Sequence, residues 1–270
     1  MNRRDRRAAA TLGRAGGSAG SGRGALLPPL ADDRALAGIA RARSAQAKAT
    51  GELLDDTSAP LRAVQACARS HVHSEALGQP IMRNEPRIVC KEGCSWCCYL
   101  RVSSTPLEVL GIAEWLRSQL TRDELASLRG RARAVADETA GMTWRERPPR
   151  ACPLLVGDRC RAYQARPLMC RGWHSFDVTP CRSYVEGNGD ASADVNVRLI
   201  MLYQALLGGL EDAARERRLD GSTVDFAVAL SVALESPDAM NRWLAGHPVF
   251  DGARIPANEP SPLNRLNIVP

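Results

Sequence analysis

The sequence predicts a mainly α fold in which helices surround an irregular, cysteine-rich core. Three observations carry that prediction. Apolar residues recur at three- and four-residue steps before residue 80, from 105 to 139, and again after 194, the spacing of one helix face. Residues 140–190 hold Pro148, Pro149, Pro153, Pro167 and Pro180, which forbid long regular elements there. Eight of the nine cysteines fall between Cys90 and Cys181, in and beside that irregular stretch. Apolar residues make up 44% of the chain but aromatics only 4%, so the core must rest on Leu, Ala, Val and Ile.

Residues 1–30 read as a disordered tail, dominated by Arg, Gly, Ala and Ser with no apolar period. Residues 31–80 form an N-terminal helical segment. Within it Ser58 is the expected cap of a helix that opens at Pro60. Leu61, Val64, Ala68 and Val72 then make a stripe expected to face the core. Cys67, beside the stripe, reads as a small buried hydrophobe, and His71 and His73 as helix-surface residues.

Residues 81–190 form the cysteine-cluster domain. Between its two cysteine groups, Thr105-Pro106-Leu107-Glu108 has the form of a capping box with proline at the first helical position. Thr121-Arg122-Asp123-Glu124 repeats the box for a second helix running to about Thr139, and the two helices are expected to pair as a hairpin. Residues 191–248 return to helices. Leu199, Leu202, Leu206 and Leu210 mark a stripe, with Gly208-Gly209 as a kink or close-packing point. Ser222-Thr223-Val224-Asp225 and Ser236-Pro237 look like two further helix starts, and residues 249–270 like an extended tail.

The net charge of +6 comes almost wholly from arginine, since only Lys48 and Lys91 are lysines. Six arginines lie in the first 24 residues, so the charge is partly a property of the tail and nucleic acid is not the expected partner. No run of about 18 apolar residues exists, so no membrane span is expected. The charged start, Met1 to Arg7, leads into no apolar segment, which argues against a secretory signal and for a cytoplasmic location. In a reducing compartment, clustered thiols more often bind metal than form disulfides.

The first cysteine group is Cys90, Cys94, Cys97 and Cys98; the second is Cys152, Cys160, Cys170 and Cys181. Zinc needs soft thiolates converging at about 2.3 Å, and the Cys94-x-x-Cys97 spacing lets one turn of backbone aim two sulfurs at one ion. Gly93 permits the tight turn before it. Neighbouring side chains diverge, so the adjacent pair Cys97-Cys98 points to a cluster with several metals, two nearby sites, or one cysteine kept free for chemistry. Lys91, Arg101, Arg166 and Arg171 stand close in sequence and could neutralise the thiolates. His174, four residues after Cys170, is a candidate ligand or proton-transfer group, but with eight cysteines filling the ligand list it reads rather as a residue behind the ligands or on the surface. No Gly-x-Ser-x-Gly elbow, phosphate loop or His-Glu-x-x-His pair is present.

Cys90-x-x-x-Cys94-x-x-Cys97-Cys98 followed by Thr105-Pro106-x-Glu108 resembles the opening of the YkgJ-type cysteine-cluster family, described as a zinc- or iron-chelating domain. Cys152-Pro153-Leu154-Leu155, Cys160, Tyr163 and Arg166-Pro167-x-x-Cys170-Arg171 resemble that family's second block. The resemblance spans about residues 85–185. It implies zinc or iron, an iron–sulfur cluster included, held by Cys90, Cys94, Cys97, Cys98, Cys152, Cys160, Cys170 and Cys181. A related block in flagellin lysine N-methylases implies, as an alternative, an iron–sulfur-dependent protein-modifying enzyme. The glycine-rich fingerprint of an adenosylmethionine site is missing from this sequence. A structural zinc module that binds a protein partner is the remaining alternative.

Overall fold

The computed structural model describes residues 33–56, 60–144, 146–188, 194–256 and 259. The tail over residues 1–30 and the cap at Ser58 lie outside them. The described residues form one compact unit. In order it contains α1 (Asp33–Leu54), α2 (Pro60–Arg83), a 3-10 turn (Trp96–Tyr99), β1 (Ser103–Ser104), α3 (Pro106–Gln119) and α4 (Arg122–Thr139). Then follow β2 (Leu155–Val156), β3 (Arg159–Cys160), α5 (Leu168–Gly172), α6 (Val178–Val185), α7 (Val197–Glu216), β4 (Val224–Asp225), α8 (Phe226–Glu235) and α9 (Ala239–Leu244). The mainly α class read from the sequence is the class observed.

Helix α7 carries the core. Its Leu199, Leu202, Leu206 and Leu210 are all buried, as their spacing requires. Asn196 caps it, accepting from the Leu199 amide. Gly208-Gly209 is a close-packing point. A Cβ on Gly209 would stand 2.7 Å from the Arg43 carbonyl oxygen of α1, so α1 and α7 approach backbone to backbone. Arg43 then reaches Asp212 at 2.7 Å and fastens the same pair of helices at the surface.

The apolar stripe of α2 is a correction. Leu61 and Val72 are 65% and 70% exposed, and the buried face is instead Ala63, Ala66, Cys67, Ser70, His71, Ser74 and Gly78. Small residues won the inward face because α2 lies against α3 at very short range. A Cβ on Gly111 of α3 would come within 2.6 Å of Cys67 Cβ. Cys67 is buried as expected. His71, expected at the surface, is only 8% exposed, because it shares the face of Cys67 one turn away. His73 is partly buried, with its Nδ1 2.8 Å from Gln46 Oε1 of α1.

Both capping threonines hold their helices. Thr121 and Glu124 form the full reciprocal box of α4. Thr105 accepts from the Glu108 amide, and Pro106 opens α3. The expected α3–α4 hairpin does not form: each helix packs against α8, the most apolar helix of the chain, rather than along the other. Asp225, the last residue of the Ser222–Asp225 start signal, is the true cap of α8. It also pairs with Arg101 and Arg147, in a cluster whose side chains are at most 8% exposed. Breaking one partner out of such a buried pair costs roughly 3–5 kcal/mol. Past residue 248, where an extended tail was expected, Phe250 and Ala253 are buried in the core and Val224 bridges to Arg254.

Two features anchor the cysteine-rich segment to this frame. Leu154, Ala162 and Leu168 are buried in the same core as the long helices. Glu108, fully buried at the start of α3, accepts from the Leu168 amide at 2.8 Å and from Ser104 Oγ at 2.9 Å. The carboxylate therefore caps α5 from a different helix.

Candidate metal centre

The nine cysteines are free thiols. Cys67 stays in the α2–α3 contact, donating to the Glu108 carbonyl at 3.9 Å. Burial raises its thiol far above the ordinary range, so it is an inert packing group.

The other eight enter one region from several elements. Cys90 lies in the loop after α2, where the Ser175 amide donates to its Sγ at 3.2 Å and the Val89 amide donates to the Ser175 carbonyl at 3.0 Å. Cys94 follows a tight turn in which Gly93 takes φ +87° and the Cys94 amide bonds the Lys91 carbonyl at 3.0 Å. Cys97 and Cys98 sit on the 3-10 turn, which packs against α6 and so against the helix of Cys181. The Cys152 amide donates to the Cys98 carbonyl at 2.8 Å, joining the two cysteine groups through the backbone. Cys160 lies on β3, opposite Leu155 of β2. Gly157 and Asp158, with φ 55° and 60°, make the two-residue turn of that hairpin, the form that right-handed strand twist favours. Cys170 lies on α5, and Cys181 on α6, which Asp177 caps.

Charge coupling sorts the thiols into two lobes. Burial, then Cys97, Cys152 and Cys160, push the Cys170 thiol well up. Burial, then Cys160 and Cys97, push Cys152 to about 12. On the other side burial, then Cys90, Cys97 and Cys94, push Cys181 to about 11. Cys97 acts on both lobes, and its own thiol is raised first by its hydrogen bond with Cys98 and then by burial. One lobe is thus Cys90, Cys94 and Cys181, and the other Cys152, Cys160 and Cys170, with Cys97 acting on both and Cys98 hydrogen-bonded to Cys97. The thiols share a region without closing on a point. Among the described residues, no group of three or more His, Cys, Asp or Glu side chains stands in the arrangement of a metal shell.

Of the four cations read as neutralising, Arg166 is the one whose charge lowers the thiols of Cys97, Cys160 and Cys170. Its guanidinium lies 4.0 Å above the Tyr163 ring, and its Nε is buried with no hydrogen-bond partner among the described residues. The others are engaged elsewhere or lie outside. Arg101 bonds Asp225 and Glu259, Arg171 bonds Glu75 and the Gln164 carbonyl, and Lys91 is exposed. Arg147, unmarked by the sequence reading, contributes near Cys152. Ser175 was also missed, since nothing in a lone serine announces a backbone donor to sulfur. His174 is 7% exposed, which excludes the surface reading. Trp173 Nε1 is buried and unpartnered beside it.

Soft donors in this number, with buried N–H groups left over to serve sulfur, fit a thiophilic metal. Residues 89–184 match the CxxCxxCC family model. That family is described as "Putative zinc- or iron-chelating domain", which supports metal binding in general. The CxxCxxCC match takes in all eight clustered cysteines and leaves out Cys67. No curated protein and no solved structure matches the chain. No helix among the described residues is long and apolar enough to cross a membrane.

Proposed function

We propose that this protein chelates zinc or iron through Cys90, Cys94, Cys97, Cys98, Cys152, Cys160, Cys170 and Cys181. The observation that carries the reading is the gathering of eight thiols from both cysteine groups into one region, inside the stretch matched by a chelating family. Two adjacent sites suit the arrangement best. Each lobe offers three thiols, and Cys97, which acts on both lobes, stands with its hydrogen-bonded neighbour Cys98 where the two meet. Bound zinc would cross-link the segment, and bound iron or an iron–sulfur cluster would add one-electron chemistry.

The chain's own part is to gather, shield and compensate the thiols. Burial raises the thiols of Cys90, Cys97, Cys152, Cys160, Cys170 and Cys181, so their loading must expel protons, and the Arg166 charge favours that step at Cys97, Cys160 and Cys170. Glu108 fixes the start of α5 and with it Cys170. Anaerobic purification followed by elemental analysis tests the proposal. Wild-type and Cys67→Ser protein should carry the same zinc or iron content, while Cys94→Ser and Cys170→Ser should lose at least half of it. Full loading in both ligand variants would refute the assignment. Visible absorbance of the anaerobic protein would separate iron–sulfur from colourless zinc.

A further inference from the structure

His174 lies on the segment that runs from α5 to Ser175. It follows Cys170 of α5 by four residues and precedes Ser175, whose amide holds Cys90. Its own carbonyl accepts from the Asn196 amide at 2.8 Å, which ties this segment to the start of α7. The imidazole is more than nine-tenths buried. Its Nε2 lies 2.9 Å from the Arg171 carbonyl oxygen, and a carbonyl can only accept, so Nε2 carries the proton. The remaining lone pair is on Nδ1. That atom is buried and has no partner among the described residues. A ring nitrogen bonded to a backbone carbonyl, with its other nitrogen left bare, is the arrangement that prepares histidine for a metal.

Charge gives an independent reason. A divalent ion held by four thiolates carries two net negative charges, and a pair of such sites carries four. Against that, Arg166 is the cation whose charge reaches the thiols of Cys97, Cys160 and Cys170, while Arg101, Arg147 and Arg171 are each bonded to a carboxylate and Lys91 is exposed. A neutral imidazole in place of one thiolate removes a full negative charge without a new cation. Zinc and iron both accept imidazole alongside thiolate.

We propose that His174 Nδ1 is a nitrogen donor of the metal centre, giving one of its two sites mixed sulfur–nitrogen coordination. The inference rests on the proposed metal-binding reading and can fail without it. The full chain, stripped of native metal, is loaded with NMR-active cadmium, once with ordinary histidine and once with heavy-nitrogen histidine. Cadmium signals should appear in the thiolate region, and one should split only in the labelled sample. The splitting should vanish in His174→Ala and persist in His73→Ala. Cadmium bound with unsplit signals in wild-type protein would overturn the His174 assignment and leave the thiolate centre standing. Failure of wild-type protein to bind cadmium at all would overturn the metal reading, and this inference with it. A splitting that persists in His174→Ala would likewise overturn the assignment.

Discussion

His71 shows how far burial can move one residue's chemistry in this chain. Burial first, and the nearby charges of Arg171 and Arg166 second, lower its pKa from 6.5 to about 3. The unfolded chain takes up this proton near 6.5, and the folded chain refuses it until about 3. The neutral ring therefore contributes stability that is present above pH 6.5 and lost as the pH falls through that window. The slope should approach roughly 1.4 kcal/mol per pH unit for one proton. Urea unfolding of wild-type and His71→Gln protein between pH 6.5 and 4 checks this. The variant should lose stability more gently, by about one proton's worth of slope. Parallel curves would mean that His71 is protonated in the fold.

At the scale of elements, the α2–α3 contact is the tightest constraint on the frame that carries the cysteines. Gly111 leaves room for Cys67, and a methyl there would overlap it. Gly111→Ala should destabilise the protein by roughly 1–3 kcal/mol, the usual cost of overpacking a filled interior. Combining it with Cys67→Gly should recover part of that loss, and additive losses in chemical unfolding would show that the two residues do not meet. Glu108 turns the same contact to use. Its position in a capping box was legible from Thr105 onward, yet its carboxylate reaches across to α5. Sequence spacing reveals a cap within one helix; it carries no information about a second helix sixty residues away. The α3–α4 relation failed for a similar reason. Two capped helices joined by a short turn can pair, but α8 offers both a larger apolar surface, with Phe226, Leu230 and Leu234 buried.

Across the whole molecule, stability divides between a helical frame and a segment that metal would complete. The contacts of α1 and α7, and of α3, α4 and α8, need no metal. The loops that bear Cys90, Cys94 and Cys152 have few regular hydrogen bonds of their own. Stripping the metal should therefore speed amide exchange over residues 89–184 by an order of magnitude or more, with α7 and α8 changing little. Mass-resolved hydrogen exchange with and without a chelator measures this. Uniform loosening of the whole chain would show that frame and centre unfold as one.

The sequence by itself determined the helical class, the caps at Thr105 and Thr121, the leucine stripe of α7, and the pool of eight soft donors. These are local properties: a cap acts within one turn, a stripe repeats along one helix, and thiolate chemistry belongs to the residue type. Tertiary structure alone decided which face of α2 turned inward, which arginine's charge reaches the thiols, and which nitrogen of His174 is left bare. Each of these depends on what another part of the chain brings to the contact. On α2, closeness of approach outweighed apolar area, so alanine, serine, glycine and cysteine went inside while Leu61 and Val72 were left in water.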